Sequence, residues 1–409
     1  INIFKKDLKN YCTMLIGLLG KPSSGKSTFF KAATLAEVEI SARPFTTLKS
    51  TEGEGYVKVD CVDKEFDVKC NPRYGFCIDS NRFVPIKIMD VPGLVPGASE
   101  GKGMGNQFLD SLNEADALIH IIDISGSTDE NGNQVDKLSH DPEKDIKFLE
   151  HELDQWYLRI LKKGWEKFTR TLTQTNLDVK RELAKQLSGL RVDEDIAQES
   201  IKSLNLSHNP ATWSNEELLN LARELRKRSK PILIAANKID VEGARFNFER
   251  LKEKYEMIAC SAEVELALRE AAKHELIKYV PGEDSFEIKK ESENKLSLDK
   301  KKALNFIEEI LEENHTTGIQ DVLNKIIFEK LKYLAVFPGG VNNLKDSQGR
   351  IIPDCFLLKK DSTALDFAYK LHKDLGDNFV KAINVRDKRP IGKEYKLKNR
   401  DIIEIVSRK

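Results

Sequence analysis

Short runs of almost unbroken apolar residues alternate along this chain with longer stretches in which apolar positions return every three or four residues. The compact runs are Leu15 to Leu19, Val84 to Met89, Ala117 to Ile124, Pro231 to Ala236 and, shorter, Met257 to Cys260. A strand that is apolar at nearly every position must be covered on both faces, so these runs predict a mostly parallel sheet flanked by helices. A glycine turn follows the first run and helical spacing begins near Lys26, which makes the opening unit strand, loop, helix.

About a hundred residues separate the runs at 117–124 and 231–236, where a simple α/β unit needs one crossover helix. Something is inserted there. Asp141-Pro142 reads as an N-cap and first helical position, with Leu149, Leu153, Trp156 and Ile160 forming an amphipathic stripe behind it. Ser214 to Glu217 fits a capping box ahead of Leu218, Leu221 and Leu225. Residues 127–228 are therefore expected to be an all-helical insertion, with a coiled-coil hairpin as its simplest form. Residues 281–300 are polar and read as a linker, and Lys301 to Leu334 returns to helical periodicity. From about Val336 short β-type runs (Cys355 to Lys359, Val380 to Val385, Ile402 to Val406) surround one helix near Ala364 to His372, an α+β module of about 70 residues.

Composition narrows the picture. The 409 residues are 40% hydrophobic and 32% charged, with 66 Lys and Arg balancing 66 Asp and Glu. That excludes a disordered polyelectrolyte and a uniformly basic nucleic-acid coat. The balance is uneven, however: residues 336–409 hold 16 basic against 10 acidic side chains, so the one marked positive excess is C-terminal. No apolar run approaches the roughly 18 residues of a membrane helix, so no membrane contact is expected. Six cysteines without a CxxC pair read as reduced thiols, which makes the cytoplasm the expected compartment. Residues 1–13 precede the first methionine, Met14, and read as an N-terminal extension outside the fold.

The chemistry is concentrated at the ends of the strand-like runs. Gly20-Lys21-Pro22-Ser23-Ser24-Gly25-Lys26-Ser27, followed by Thr28, matches G-x-x-x-x-G-K-[ST] between a strand and a helix. Its glycines let backbone N–H groups wrap phosphates, Lys26 reaches the β and γ oxygens, and Ser27 can ligate Mg²⁺. Asp90-Val91-Pro92-Gly93 closes the run at 84–89, at the sheet edge where ligands of α/β proteins bind. Asp90 is expected to hold Mg²⁺ and the Gly93 N–H to face a γ-phosphate. Asn237-Lys238-Ile239-Asp240 ends the run at 231–236. A carboxylate accepts two hydrogen bonds, which fits guanine N1–H and its exocyclic amine and opposes adenine, so Asp240 predicts guanine. Lys238 would lie along the base, Asn237 would tie this loop to the phosphate loop, and a backbone N–H of Ser261-Ala262 could reach guanine O6.

Phosphate loop, DxxG, NKxD and SA in this order resemble the signature of the translation-factor-related GTPases. Arg43-Pro44-Phe45-Thr46-Thr47-Leu48 and the glycine-rich stretch from Gly93 to Gly105 resemble the two switch segments of the Obg family, placed at 40–53 and 93–105. Gly349 to Pro353 and Asp361 to Ala368 resemble a TGS domain, a ubiquitin-like β-grasp module. Together they resemble the YchF-like branch of the Obg family, its archaeal members in particular. The resemblance implies a P-loop GTPase fold with a helical insertion and a C-terminal TGS domain: a G domain over 14–335, TGS over 336–409. It also implies a GTPase switch that binds GTP or GDP with Mg²⁺ through Ser27, Thr47 and Asp90, with Thr46 the alternative to Thr47, and that uses Lys26, Thr47 and Gly93 in catalysis. Ribosomes or structured RNA are the implied partners, reached through the TGS module. Two departures qualify this. The intact Asn237, Lys238 and Asp240 argue against the ATP preference of YchF proteins that have lost NKxD. Leu94 stands where Ras-like enzymes orient water with glutamine, so hydrolysis is expected to be slow, and Ser23 in place of a K⁺-holding asparagine predicts weak K⁺ dependence. An adaptor in which hydrolysis is incidental is the alternative, and a small-molecule kinase is disfavoured because it has no need of Asn237 to Asp240.

Other features read as structural. Cys61, Cys70 and Cys77 are irregularly spaced and one ligand short of a structural zinc site, so they read as unpaired thiols. His120 sits inside an apolar run and reads as a sheet histidine. Trp156 and Trp165 read as packing residues ahead of base-stacking ones.

Overall fold

The computed structural model describes residues 14–34, 51–91, 112–175 and 177–408. Residues 1–13, the greater part of the first switch-like segment and all of the second lie outside them. β1 (Leu15–Leu19) is buried throughout and leads through the glycine loop into α1 (Lys26–Thr34). β2 (Thr51–Asp60), β3 (Phe76–Ile78), β4 (Asn81–Asp90), β5 (Ala117–Asp123), β6 (Ile232–Asn237) and β7 (Met257–Ala259) complete a seven-stranded sheet in the order β2-β4-β1-β5-β6-β7, with β3 also beside β4. β4, β1, β5, β6 and β7 run parallel, while β2 and β3 pair antiparallel with β4. The register sets Leu18 opposite Asp90 and Asp123 opposite Asn237, so the ends of four motifs leave the sheet at one edge.

β2 is legible only in three dimensions. Gly53 and Gly55 interrupt its alternation, yet a Cβ on Gly53 would lie 2.7 Å from the Phe30 ring and one on Gly55 2.3 Å from Ile88 Cδ1. The glycines are weak strand formers that let α1 press against the sheet.

The insertion consists of α2 (Pro142–Lys162), α3 (Trp165–Thr175), α4 (Val179–Gln186), α5 (Glu194–Ser203) and α6 (Asn215–Ser229). Asp141 caps α2, accepting from the Glu143 N–H, and Ser214 and Glu217 cap α6 reciprocally. The domain is a bundle of several helices, not a two-helix hairpin, because its stripe does not end at a partner helix. Leu149, Leu153, Trp156 and Tyr157 join Leu221 and Leu225, and this core runs on into Leu15, Leu19, Met89 and Leu118 of the sheet. Trp165 stacks on Trp213 at 5.8 Å. Both tryptophans singled out in the sequence therefore pack within the protein.

α7 (Ala244–Lys252) and α8 (Ala262–Lys273) follow β6 and β7. The polar stretch from 281 contains β9 (Phe286–Ile288), which pairs with β8 (Ile277–Tyr279), so it is more ordered than a linker. α9 (Leu298–Asn314), α10 (Ile319–Asn324) and a π-helical turn carry the helical spacing to Lys330, and β10 (Tyr333–Pro338) begins at Tyr333, short of the Leu334 to which helix is expected. β10, β11 (Phe356–Lys359), α11 (Ala364–Leu371), α12 (Lys373–Asp377), β12 (Phe379–Asn384), β13 (Arg389–Ile391) and β14 (Asp401–Ser407) form the C-terminal module, with sheet order β11-β10-β14-β12-β13. β10 and β14 are parallel and their neighbours antiparallel, a β-grasp arrangement. The module is seated on the first: Phe337, Ile352, Cys355, Val385 and Ile402 share a core with Val59, Cys61, Val62 and Cys70. Glu65 receives Arg386 Nε and Arg400 Nη2, each at 2.6 Å. No helix among the described residues is long and apolar enough to cross a membrane.

His120 is a buried strand residue, as expected. Burial first, then the nearby positive charge of Lys21, pushes its pKa down to about 3. Unfolded histidine takes up a proton below about pH 6.5, whereas the folded one stays neutral, so the folded state loses stability as pH falls through that window. Denaturant titration should show a loss of about 2 kcal/mol between pH 6.5 and 5 that His120→Asn removes. Parallel stability curves for the two proteins would contradict the assignment.

Candidate functional site

The phosphate loop joins the end of β1 to the N-terminus of α1, where free backbone N–H groups and the helix dipole favour an anion. Its shape depends on glycine. Gly25 has φ +89°, and a Cβ there would lie 2.1 Å from the Asn237 carboxamide nitrogen. Asn237, the last residue of β6, uses that nitrogen to donate to the Ser24 carbonyl at 3.0 Å, while its Oδ1 accepts the Ala262 N–H at 3.0 Å. One buried side chain thus joins the phosphate loop, the β6 turn and the start of α8.

Lys26 is buried at the head of α1 with Nζ 3.5 Å from Asp90 Oδ1. Ser27 Oγ donates to Asp90 Oδ2 at 3.0 Å. Asp90 is fully buried, and among the described residues its Oδ1 accepts no hydrogen bond. A hydroxyl and a carboxylate with an unsatisfied buried oxygen form an all-oxygen set of the kind that a hard divalent cation takes, so these residues fit Mg²⁺.

Lys238 adopts φ +66° and its Nζ pairs with Asp123 Oδ2 at 2.8 Å, which leaves its aliphatic stem to lie along a base. Asp123, at the end of β5, also accepts from Ser125, Ser127 and Thr128 hydroxyls. Burial alone would raise its pKa, but the Lys238 charge and these hydrogen bonds outweigh that and hold it below the usual carboxylate range. Sequence reasoning missed Asp123, although an aspartate closing an apolar run ahead of Ser125-Gly126-Ser127-Thr128 was a visible signal. Lys21 has a second role besides its backbone: its buried ammonium pairs with Asp145 Oδ2 at 2.8 Å and donates to the Thr128 carbonyl, tying the phosphate loop to α2.

The structure brings Gly20 to Thr28, Asp90, Asn237, Lys238, Asp240, Ser261 and Ala262 to one edge of the sheet. Asp240 is half-buried in the turn after β6. Ser261 caps α8, and its N–H donates to the Thr317 carbonyl at 2.9 Å. A guanine carbonyl arriving here would compete with Asn237 for the Ala262 N–H. Thr47 and Gly93 lie outside the described residues.

Comparison with known proteins agrees with this geometry. Residues 15–154 match the family model described as 50S ribosome-binding GTPase, residues 235–341 that of the Obg-like GTPase YGR210-like G4 motif-containing domain, and residues 344–407 that of the TGS domain. An uncharacterized GTP-binding protein of Methanocaldococcus jannaschii is 46% identical over 96% of this chain and 99% of its own. Another from Schizosaccharomyces pombe is 34% identical over 86% and 88% of the two chains. The crystal structure of a GTP binding protein from Pyrococcus horikoshii OT3 superposes with a TM-score of 0.74 at 38% identity, over 96% of this chain and all of that one.

Each hydrogen bond to a charged acceptor is worth about 1.5–3 kcal/mol. Asp240→Asn should accordingly weaken GDP binding at least roughly tenfold and narrow the margin over ADP. Competition titration against labelled GDP measures both. ADP displacing GDP from the unmodified protein at equal concentration would overturn the guanine assignment.

Proposed function

This chain belongs to the Obg-like GTPases of the YGR210-like type, binds GTP and hydrolyses it, and from that premise we propose that it is a slow, nucleotide-dependent switch acting on ribosomes or structured RNA in the cytoplasm. Ser27 and Asp90, with Thr47 assigned by the switch-like motif, would hold Mg²⁺, which would supply positive charge beside the β and γ phosphates. Lys26 adds charge stabilisation to the transferring phosphoryl group, and the DxxG motif assigns the Gly93 N–H to the same group. Phosphate-loop backbone from Gly20 to Thr28 wraps the phosphates, and Asn237, Lys238, Asp240, Ser261 and Ala262 take the base.

The observation that carries the RNA reading is where positive charge sits. Residues 379–400 contain eight Lys and Arg against two Asp and Glu, which accounts for the whole basic excess of the C-terminal module. Arg386 and Arg400 are engaged by Glu65, while Lys381, Lys388 and Arg389 are exposed on β12, β13 and the turn between them. Lys393 and Lys396 are exposed too, on a segment that runs beside residues 361–365, where Lys396 Nζ donates to the Asp361 carbonyl at 2.7 Å. Lys359 ends β11 and Lys360 follows it, at the edge of the five-stranded sheet opposite β13, so they stand apart from Lys388 and Arg389. Exposed cations along one sheet edge suit a phosphate backbone better than base readout.

Leu94, at the motif position where Ras-like enzymes carry a water-orienting glutamine, cannot hydrogen-bond water, which also favours the adaptor reading in which hydrolysis is incidental. Purified protein should turn over GTP at about 10⁻⁴ to 10⁻² per second, with little difference between K⁺ and Na⁺. Faster partner-free hydrolysis in a phosphate-release assay, or a large K⁺ effect, would show an unrecognised catalytic group.

Charge reversal at Lys388 and Arg389 should release the protein from ribosomes or structured RNA at lower salt. The slope of log affinity against log salt should fall by roughly 0.7–0.9 for each lost phosphate contact, with GDP affinity unchanged. A variant that co-sediments with ribosomes at the same salt as the parent would move the contact elsewhere.

A further inference from the structure

Away from the nucleotide site, the segment between β2 and β4 gathers four metal-ligating side chains. Cys61 follows β2, Asp63 lies in the short helical turn Val62–Phe66, Cys70 in the loop beyond it and Cys77 in β3. Their Sγ and carboxylate oxygen atoms all lie within 4.8 Å of one another; Cys61, Asp63 and Cys70 are buried and Cys77 is half-buried. We propose that Cys61, Asp63, Cys70 and Cys77 form a structural zinc site that braces the seat of the C-terminal module.

The donor set points to the metal. Three thiolates and one carboxylate in a compact four-atom cluster match tetrahedral Zn²⁺, whereas Mg²⁺ and Ca²⁺ require more ligands, all oxygen. Distances agree: Cys61 Sγ lies 3.7 Å from Cys70 Sγ, and a tetrahedron with Zn–S bonds of about 2.3 Å has edges of about 3.8 Å. A disulfide would require about 2.05 Å. Rotation of the half-buried Cys77 can close the remaining edges.

The surroundings are also built for an anionic centre. Three thiolates and a carboxylate exceed the charge of one Zn²⁺, and the Arg82 guanidinium, 1% exposed, stands against them with Nη1 3.8 Å from Cys70 Sγ. The Lys64 N–H donates to Asp63 Oδ1 at 2.8 Å, which orients that carboxylate. Arg82 Nη2 reaches across to the Ile352 carbonyl at 2.7 Å, and the N–H groups of Asn71 and Arg73 donate to Ile351 and Pro353 at 2.8 Å. The loop that holds the cluster is therefore the loop on which the C-terminal module rests. Zn²⁺ binding releases the thiol protons to solvent, so occupancy falls with acidification.

Elemental analysis of the full-length protein purified under reducing conditions should find about one zinc per chain. Co²⁺ exchanged for it should give the d–d bands of a tetrahedral thiolate site and a sulfur-to-cobalt charge-transfer band. Cys77→Ser and Asp63→Asn should each weaken Co²⁺ binding tenfold or more, while Cys355→Ala, which removes a neighbouring thiol outside the four, should leave the spectrum intact. Chelation should speed hydrogen exchange across residues 61–78 and 346–355. The proposal is overturned if reduced wild-type protein takes up no Co²⁺, if a non-reducing mass reveals a disulfide among these cysteines, or if Co²⁺ binding survives both substitutions unchanged.

Discussion

The carboxamide of Asn237 is the constraint on which the nucleotide end of this molecule depends. A peptide carbonyl at Ser24 and a peptide N–H at Ala262 would each be left unpaired in a buried setting without it, at a cost of about 1–3 kcal/mol apiece. Only a side chain that donates at one end and accepts at the other satisfies both, and Asp or Leu at this position cannot. Satisfying them fixes the distance between the loop that wraps phosphates and the turn that carries Asp240. Gly25 follows from the same contact, since any larger residue would occupy the space that the carboxamide fills. Base and phosphate recognition are thereby set by one rigid link between strand ends.

The two appended parts are attached to that framework by unlike means. The helical insertion shares an apolar core with the sheet and reaches the phosphate loop through the buried Lys21–Asp145 pair, which His140 supports from the other side at 2.8 Å. An ion pair at 3% and 7% side-chain exposure is costly to leave half-made, so a shift of the phosphate loop is felt at the start of α2. The C-terminal module instead rests on the far side of the β2–β4 hairpin through a continuous apolar core, the Arg82 contact and the pair of arginines on Glu65. A hydrogen bond from Arg386 holds the Glu65 carboxyl below its usual range against partial burial, so this charge stays available to the pair through mildly acidic conditions. β4 runs from the residues beneath this seat to Asp90 at the nucleotide, and a single strand connects the two ends.

That seat departs from ordinary core packing. Buried cysteines and a buried aspartate in one loop, with the buried Arg82 of β4 against them, cost desolvation that apolar residues would avoid. Their mutual arrangement offsets it, with cation against sulfur and N–H against carboxylate. A loop with so little regular structure holds the two backbone hydrogen bonds from Asn71 and Arg73 to the C-terminal module only if its own shape is stiff.

Sequence alone determined the parallel sheet, the order of the nucleotide motifs, both helix caps and an α+β module at the C-terminus, because each rests on local chemistry, whereas the β-grasp form of that module was implied by its resemblance to TGS domains. An apolar run buries itself, a Ser214–Glu217 box closes on its own helix, and a phosphate loop is recognised by its own glycines between strand and helix. Tertiary structure alone decided what depends on residues distant in the chain. The glycines of β2 become intelligible only against Phe30 and Ile88, and the polar run from 281 becomes a strand because β8 lies beside it. Asp123 acquires its role from Lys238, Lys21 acquires its partner in Asp145, and Lys359 is separated from Arg389 by the width of a sheet whose order no spacing reveals. Three irregular cysteines looked one ligand short until the turn at Val62–Phe66 brought Asp63 among them, since ligand geometry is a matter of distances across folded space, and residue spacing records only distance along the chain.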